Sequence, residues 1–268
     1  MTGGANDPET VVHVYGVVSS GADPALPLGL DGQPVTITAI GPFDAVVSTL
    51  DAARFGARAW AEHAEDLPWL QEVATAHHAV LQRVVEQTTV VPLRLPGIHD
   101  DLPRLQAALR QAEHSLAAAL ALVDGHVEMG LHVFGSGEPE AAATLGSEES
   151  ASPQPRSGRD YLQRKADESR RQSSRPLLEE SAADALHQTV AAYSKRAQLH
   201  RVQDRAMSGR PEPMLLNASY LVARAEVDPF RENVARLGER LSDQRLTVEC
   251  TGPWPAYGFV AEAVESPA

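Results

Sequence analysis

MLLNASYLVA, Met214–Ala223, carries apolar side chains at both odd and even positions. A strand that is apolar on both faces belongs in the middle of its sheet, where neither face meets water. Asp228-Pro229 follows as an N-cap with proline at the first helical position, and Phe230, Val234, Leu237 and Leu241 recur behind it at helical spacing. Leu246, Val248 and Cys250 then share one face of another strand. Strand, helix and strand in that order predict a sheet with helices laid on it, the α+β class.

Upstream of this unit, Arg159 to about Arg175 reads as a helix that is polar nearly all round, with six basic and three acidic residues. Pro176 is expected to kink or restart it. Leu178, Ala182, Leu186, Val190, Tyr193 and Ala197 continue at steps of three or four, a stripe suited to a helical hairpin or coiled-coil contact. Before the helix lies GSGEPEAAATLGSEESASPQPRSG, Gly135–Gly158, with no aromatic, three prolines and four glutamates. It has too little apolar surface to offset the entropy of ordering.

The first half begins with VVHVYGVV, Val11–Val18, a buried strand rich in β-branched residues. Val35–Ala39 alternates as a half-buried strand does, and Phe43–Ser48 resumes extended. Behind Pro68, a helix places Trp69, Leu70, Val73, Ala76, Val80, Leu81 and Val84 on one side. Thr89–Leu95 is a short strand whose Pro92 puts it at an edge or a bulge. Asp100 or Asp101 caps one helix carrying Leu102, Leu105, Leu109, Ala112, Leu116 and Leu120, which Asp124-Gly125 closes. His126–Phe134 is the next strand. Strands interleaved with helices able to cover one face predict a modified ferredoxin-like sandwich. The expected organisation is a flexible N-terminus over 1–10 and a ferredoxin-like domain over 11–134. A flexible acidic linker over 135–158 follows, then a C-terminal α+β domain with a long helical element over 159–260, and a flexible tail over 261–268.

A formal net charge of −13 argues against nucleic acid or an anionic membrane as partner, since both need a basic face. Cys250 is alone, so no intramolecular disulfide can form, in keeping with a reducing cytoplasm. The opening MTGGANDPET has neither the basic nor the apolar region of a secretory signal. No apolar run approaches the ~20 residues that span a bilayer.

Little here points to chemistry. Tyr161 and Lys165 have the Y-x-x-x-K spacing of short-chain dehydrogenases, but SSGADPALPLGLDGQP after Val18 lacks the Gly-rich turn that a nicotinamide cofactor needs. His77 and His78 diverge around a helix. His126, Glu128 and His132 share a strand face, yet its ends lie about 20 Å apart, too far for one ion. Cys250 reads as a small core residue. No catalytic residue, cofactor or metal site is expected, and the protein is read as not an enzyme. The basic patch Arg159, Arg164, Lys165, Arg170, Arg171 and Arg175 stands out in an acidic chain: a solvated helix face, or a docking surface for an acidic partner.

The last strand runs into LTVECTGPWPAYGF, Leu246–Phe259. Pro253 and Pro255 donate no hydrogen bond, so the sheet is expected to stop at Gly252 and the Trp254 ring to plug a gap between helices and sheet or between two domains, a partner-binding hot spot being the alternative. These residues also carry a resemblance. Asn217, Tyr220, Leu221 and Val222, followed by Gly252, Pro253, Trp254, Pro255, Tyr257 and Phe259, resemble the C-terminal signature of the gas vesicle protein F/L family (GvpF/GvpL). VYGVV, FDAVVS, AHHAVLQRVVEQTTVVPLRL, VEMGLHVF and GRDYLQRKADE are similar to the rest of that family. After Pro92-Leu93-Arg94 the family usually runs Phe-Gly-Thr, whereas this chain has Leu95-Pro96-Gly97-Ile98. The resemblance implies a modified ferredoxin-like domain followed by an α+β domain with a coiled-coil element. It implies a cytoplasmic accessory or minor component of gas vesicles that binds the hydrophobic shell subunit, gas vesicle protein A, and other accessory proteins. Limiting shell-subunit aggregation during nucleation is the activity it implies. A ferredoxin-like ligand-binding or regulatory module with no vesicle role is the alternative.

Overall fold

The computed structural model describes residues 9–136 and 158–260, and of residues 158–174 the backbone alone. The chain forms two units that are not consecutive in sequence. One comprises Met1–Met129, Leu221–Ala225 and Gly252–Ala268, the other Gly130–Tyr220 and Glu226–Thr251. The segment from Gly252, which the sequence reading placed with the C-terminal domain, thus lies with the first unit. The bulk of the acidic segment and the tail after 260 fall outside the described residues. Gly135 and Ser136, assigned above to the linker, are bonded: the Gly135 N–H donates to Pro213 O at 2.8 Å, and the Ser136 hydroxyl to Glu179.

The first unit opens with β1 (Thr10–Ser19), β2 (Thr36–Ile40) and β3 (Phe43–Asp51). Then come α1 (Ala52–Phe55), α2 (Ala57–Glu62), α3 (Leu67–Val85), β4 (Val90–Pro92), β5 (Ile98–His99), α4 (Leu102–Gln111), α5 (Glu113–Val123) and β6 (His126–Phe134). The first sheet has the order β2-β3-β1-β4, with β5 also paired to β1. Pro92 pairs with Gly16 on the last strand, the edge position that its missing N–H predicts. Asp66 and Asp101 cap α3 and α4 by accepting from Trp69 N and Arg104 N, and each helix has proline in its first turn. The single helix expected over 102–123 is two: Ala112 (φ −90°, ψ 7°) breaks it into α4 and α5.

β1 is buried along its whole length between Val11 and Val18. Its register with β3 skips Tyr15, so Val14 faces Val47 and Gly16 faces Val46. The extra residue shifts the alternation by one. Val12 and Val14 before it, and Val17 after it, therefore all join one apolar cluster with Leu105, Leu109, Leu116 and Val123. The opposite face carries His13 and Tyr15 against α3, where Leu81 would meet any Cβ at Gly16 at 2.9 Å. Helices thus cover both faces of this sheet, not one as the sequence reading assumed.

Two polar chains cross the α3 face. Tyr15 Oη donates to Ser48 Oγ (3.1 Å) and accepts from Leu30 N (2.9 Å), and Ser48 Oγ donates to Pro34 O (2.9 Å). The connection from β1 to β2 is tied to the sheet at both of its bends. In the second chain, His13 Nδ1 lies 3.0 Å from Pro96 O, and His77 Nε2 lies 3.0 Å from Leu93 O. Carbonyls only accept, so both of these nitrogens carry the hydrogens. The remaining pair, His13 Nε2 and His77 Nδ1, meet at 2.9 Å. One further proton would complete that contact, and burial opposes it. Desolvation, with the neighbouring imidazole adding to it, holds His13 well below the usual histidine range; burial puts His77 at about 4.

The second unit is built from α6 (Gly158–Ala191), β7 (Arg196–Leu199), α7 (Arg205–Ser208), β8 (Met214–Ala223), α8 (Val227–Ser242) and β9 (Thr247–Trp254); α9 (Tyr257–Val260) returns to the first. The second sheet has the order β7-β8-β6-β9, so β8 is central as its two apolar faces predict. α6 continues through Pro176. Among its described side chains Glu179, Ala183, Leu186 and Val190 are buried, while Leu178 and Tyr193 are exposed and Ala197 lies in β7. The predicted stripe is therefore offset by one residue at its start and ends too late. α8 begins at Val227 with Glu226 at its N-cap, so Asp228 lies within the first turn rather than capping it. β9 runs on to Trp254 at the end of its sheet, where Pro253 is tolerated; the strand does not stop at Gly252.

Both imidazoles are neutral in the folded chain at pH 7 and return to about 6.5 on unfolding. As pH falls below about 6.5, the unfolded chain takes up protons that the native pair refuses, and stability is lost towards about pH 4. Near pH 5, a His77→Leu variant is expected to take up about one proton fewer on unfolding, read from the pH dependence of its denaturation free energy.

Candidate functional site

The residues singled out at the C-terminal end converge on α3 and the start of β6. Gln82 Nε2 donates to Pro253 O at 2.9 Å, and Gly258 N donates to Glu128 Oε2 at 2.8 Å. The Trp254 and His78 ring centroids are 5.5 Å apart, and Tyr257 stacks on the same imidazole at 6.3 Å with planes 26° apart. Burial pushes the Tyr257 phenol up and the His78 imidazole down, so both face one another uncharged. Ala256 and Val260 are buried in the apolar cluster of β1, with Phe259 packed against it. Trp254 is half-buried and seated on α3.

Gly252 cannot be replaced freely. Its φ is +103°, and a Cβ there would lie 2.8 Å from Glu128 O. The peptide bond between Gly252 and Pro253 is cis.

The other half of the motif divides between the units. Leu221 and Val222 are fully buried, and Leu221 belongs to the β1 cluster. Arg224, three residues on from Leu221, donates its guanidinium to Val85 O, a carbonyl that the end of α3 leaves unpaired, and to Thr88 O just beyond the helix. Tyr220 is fully buried, with its hydroxyl 2.7 Å from His187 Nδ1 and its ring against Phe230. Asn217 accepts from His200 N at 2.8 Å and donates through Nδ2 to Arg201 O at 3.0 Å.

Arg159, Arg164, Lys165, Arg170 and Arg171 lie on α6, and their side chains are outside the described residues. Arg175 is described: its Nε donates to Glu179 Oε1 at 2.8 Å, and Glu179 is nearly buried. This pair fixes the helix to the exit of β6 through Ser136. Among the described residues, no three His, Cys, Asp or Glu side chains converge as metal ligands would, and no helix is long and apolar enough to cross a membrane. Cys250 is half-buried with its thiol raised by burial, an inert environment for a nucleophile. Two features carried no sequence signal. His13 and His77 are separated by 64 residues. β7, RAQL, lacks the β-branched and aromatic residues by which strands are read.

What fold and site define is a two-sheet α+β protein whose most distinctive motif is used for packing. Known proteins give this class its family. The family model for gas vesicle synthesis protein GvpL/GvpF matches residues 11–261. Gas vesicle protein L of a Streptomyces species is 33% identical over 250 residues, covering 93% of this chain and 90% of the relative. Gas vesicle protein F of Haloferax mediterranei is 25% identical over 192 residues, 70% of each chain. The crystal structures of GvpF from Anabaena and from Microcystis aeruginosa share the fold, with TM-scores of 0.66 and 0.63. They are 17% and 15% identical and cover 94% and 93% of this chain, and 96% and 98% of their own. The chain belongs to the GvpL/GvpF family of gas vesicle synthesis proteins.

Gly252→Ala is expected to cost about 2 kcal/mol or more, from its backbone conformation together with the clash at Glu128 O. Gly125→Ala, at φ +65° with nothing near its Cβ, should cost only about 1 kcal/mol. Urea denaturation of the two variants measures the difference.

Proposed function

We propose that this protein serves gas vesicle assembly in the cytoplasm by binding the hydrophobic shell subunit, gas vesicle protein A, and limiting its aggregation while a vesicle nucleates. The observation that carries this reading is the match to a family of gas vesicle synthesis proteins along residues 11–261. The chain's own physics is in keeping with it. A net charge of −13 keeps a complex with a sticky subunit dispersed. The basic run of α6, with Arg159, Arg164, Lys165, Arg170 and Arg171, is the docking segment we assign to the shell subunit; Arg175, at its end, pairs with Glu179. Other gas vesicle accessory proteins are further partners of the same assembly.

The test is co-expression with the shell subunit and recovery of the pair. Charge reversal at Arg164, Lys165, Arg170 and Arg171 is expected to lower capture about tenfold or more. Unchanged capture by that variant would reject α6 as the docking face. A shell subunit that clumps equally with and without this protein would reject the function itself.

A further inference from the structure

β7 ends the second sheet, and all four of its residues are exposed. The strand is held at its C-terminal end: His200 N donates to Asn217 O, and the Asn217 amide reaches Arg201 O. Backbone groups alternate in direction along a strand, so those of Arg196 and Gln198 point with His200 towards β8. The N–H and C=O groups of Ala197 and Leu199 point the other way. Among the described residues this is an open edge of the kind that extended segments join.

Charge indicates the occupant. Residues 195–210 hold five basic residues and one acidic one, in a chain of net charge −13. Arg196, Arg201 and Arg205 are exposed, and among the described residues none of the three forms an ion pair. The lone acid, Asp204, is occupied in capping α7 through Met207 N. Arg210 is held by Glu249 and lies over the Phe134 ring, which fixes the return of the loop. Leu199, Val202 and Met207 present exposed apolar side chains between the arginines. A second copy of the chain is opposed, because pairing two β7 edges would bring like charges together.

We propose that β7 takes up an extended acidic segment of a partner protein by strand addition. Ala197 and Leu199 supply the ladder; Arg196, Arg201 and Arg205 select the charge. The residues involved are not those of the basic run of α6, and the inference stands or falls apart from the shell-subunit reading.

The probe is a fluorescent peptide of about eight residues alternating Glu and Val, titrated with the full chain beside its Lys-Val counterpart. The acidic peptide is expected to bind, the basic one not, and added salt to weaken the binding. Ala197→Pro removes one outward N–H and leaves the bonds to β8, so it should weaken binding about tenfold with the melting temperature unchanged. Arg196→Glu with Arg201→Glu should reverse the preference in favour of the Lys-Val peptide. Absence of binding would mean that the arginines only guard the edge, and would overturn the proposal. So would equal binding of both peptides, binding indifferent to Ala197→Pro, or a dimer in sedimentation that Ala197→Pro dissolves.

Discussion

The constraint on which the first unit depends is the complete burial of β1. With β3 on one side, β4 and β5 on the other, and helices on both faces, none of its polar groups between Val11 and Val18 can turn to water. Each must be satisfied internally or cost on the order of 1–3 kcal/mol. His13 and Tyr15 answer this by becoming anchors. Through Ser48 the tyrosine holds the chain at Leu30 and Pro34; the histidine holds Pro96 and packs edge-on against His77, which holds Leu93. The Leu95-Pro96-Gly97-Ile98 stretch, where the chain departs from the expected Phe-Gly-Thr, closes on β1 through Val14 N and Gly97 O at 2.9 Å. A loop of different sequence is thus fixed to the buried strand through a histidine and a backbone bond.

The closing motif follows the same logic at the other end of the chain. Its rings settle on His78, one residue from the buried His77, and its backbone is received by Gln82 and Glu128. α3 therefore presents one side to the core strand and another to residues more than 170 positions later. Arg224 completes the arrangement at the C-terminal end of that helix. Two prolines, a tryptophan and a tyrosine in close succession make sense as a rigid hook closing over a helix.

Much of this was legible from residue order. Unbroken β-branched runs gave β1 and β8, helical spacing behind Asp and Pro gave α3 and α4, and the closing motif identified the family. The failures have physical causes. AALRQAEHSLAAAL contains no glycine or proline, so nothing marks the break at Ala112. On α6 the seat facing the sheet belongs to Glu179, since Arg175 and Ser136 neutralise it, and Leu177 and Leu178 are left outside. Hydrophobic periodicity cannot see a buried carboxylate that brings its own partners. β9 outruns its prediction because Pro253 stands on an edge strand, where a missing donor costs the sheet little. β7 is short and polar, and its position is decided by Asn217 rather than by its own residues.

The apolar cluster beneath β1 has a consequence for how the chain is made. Leu221, Ala256 and Val260 are members of it, together with Val12 and Val14. A ribosome delivers these residues in order, and until Val260 has left the exit tunnel the innermost strand lacks part of its covering. The amino-terminal sheet therefore cannot finish folding while it waits for the rest of the polypeptide. Its maturation is an event that follows translation, and an interrupted message yields a first unit with its centre open to solvent.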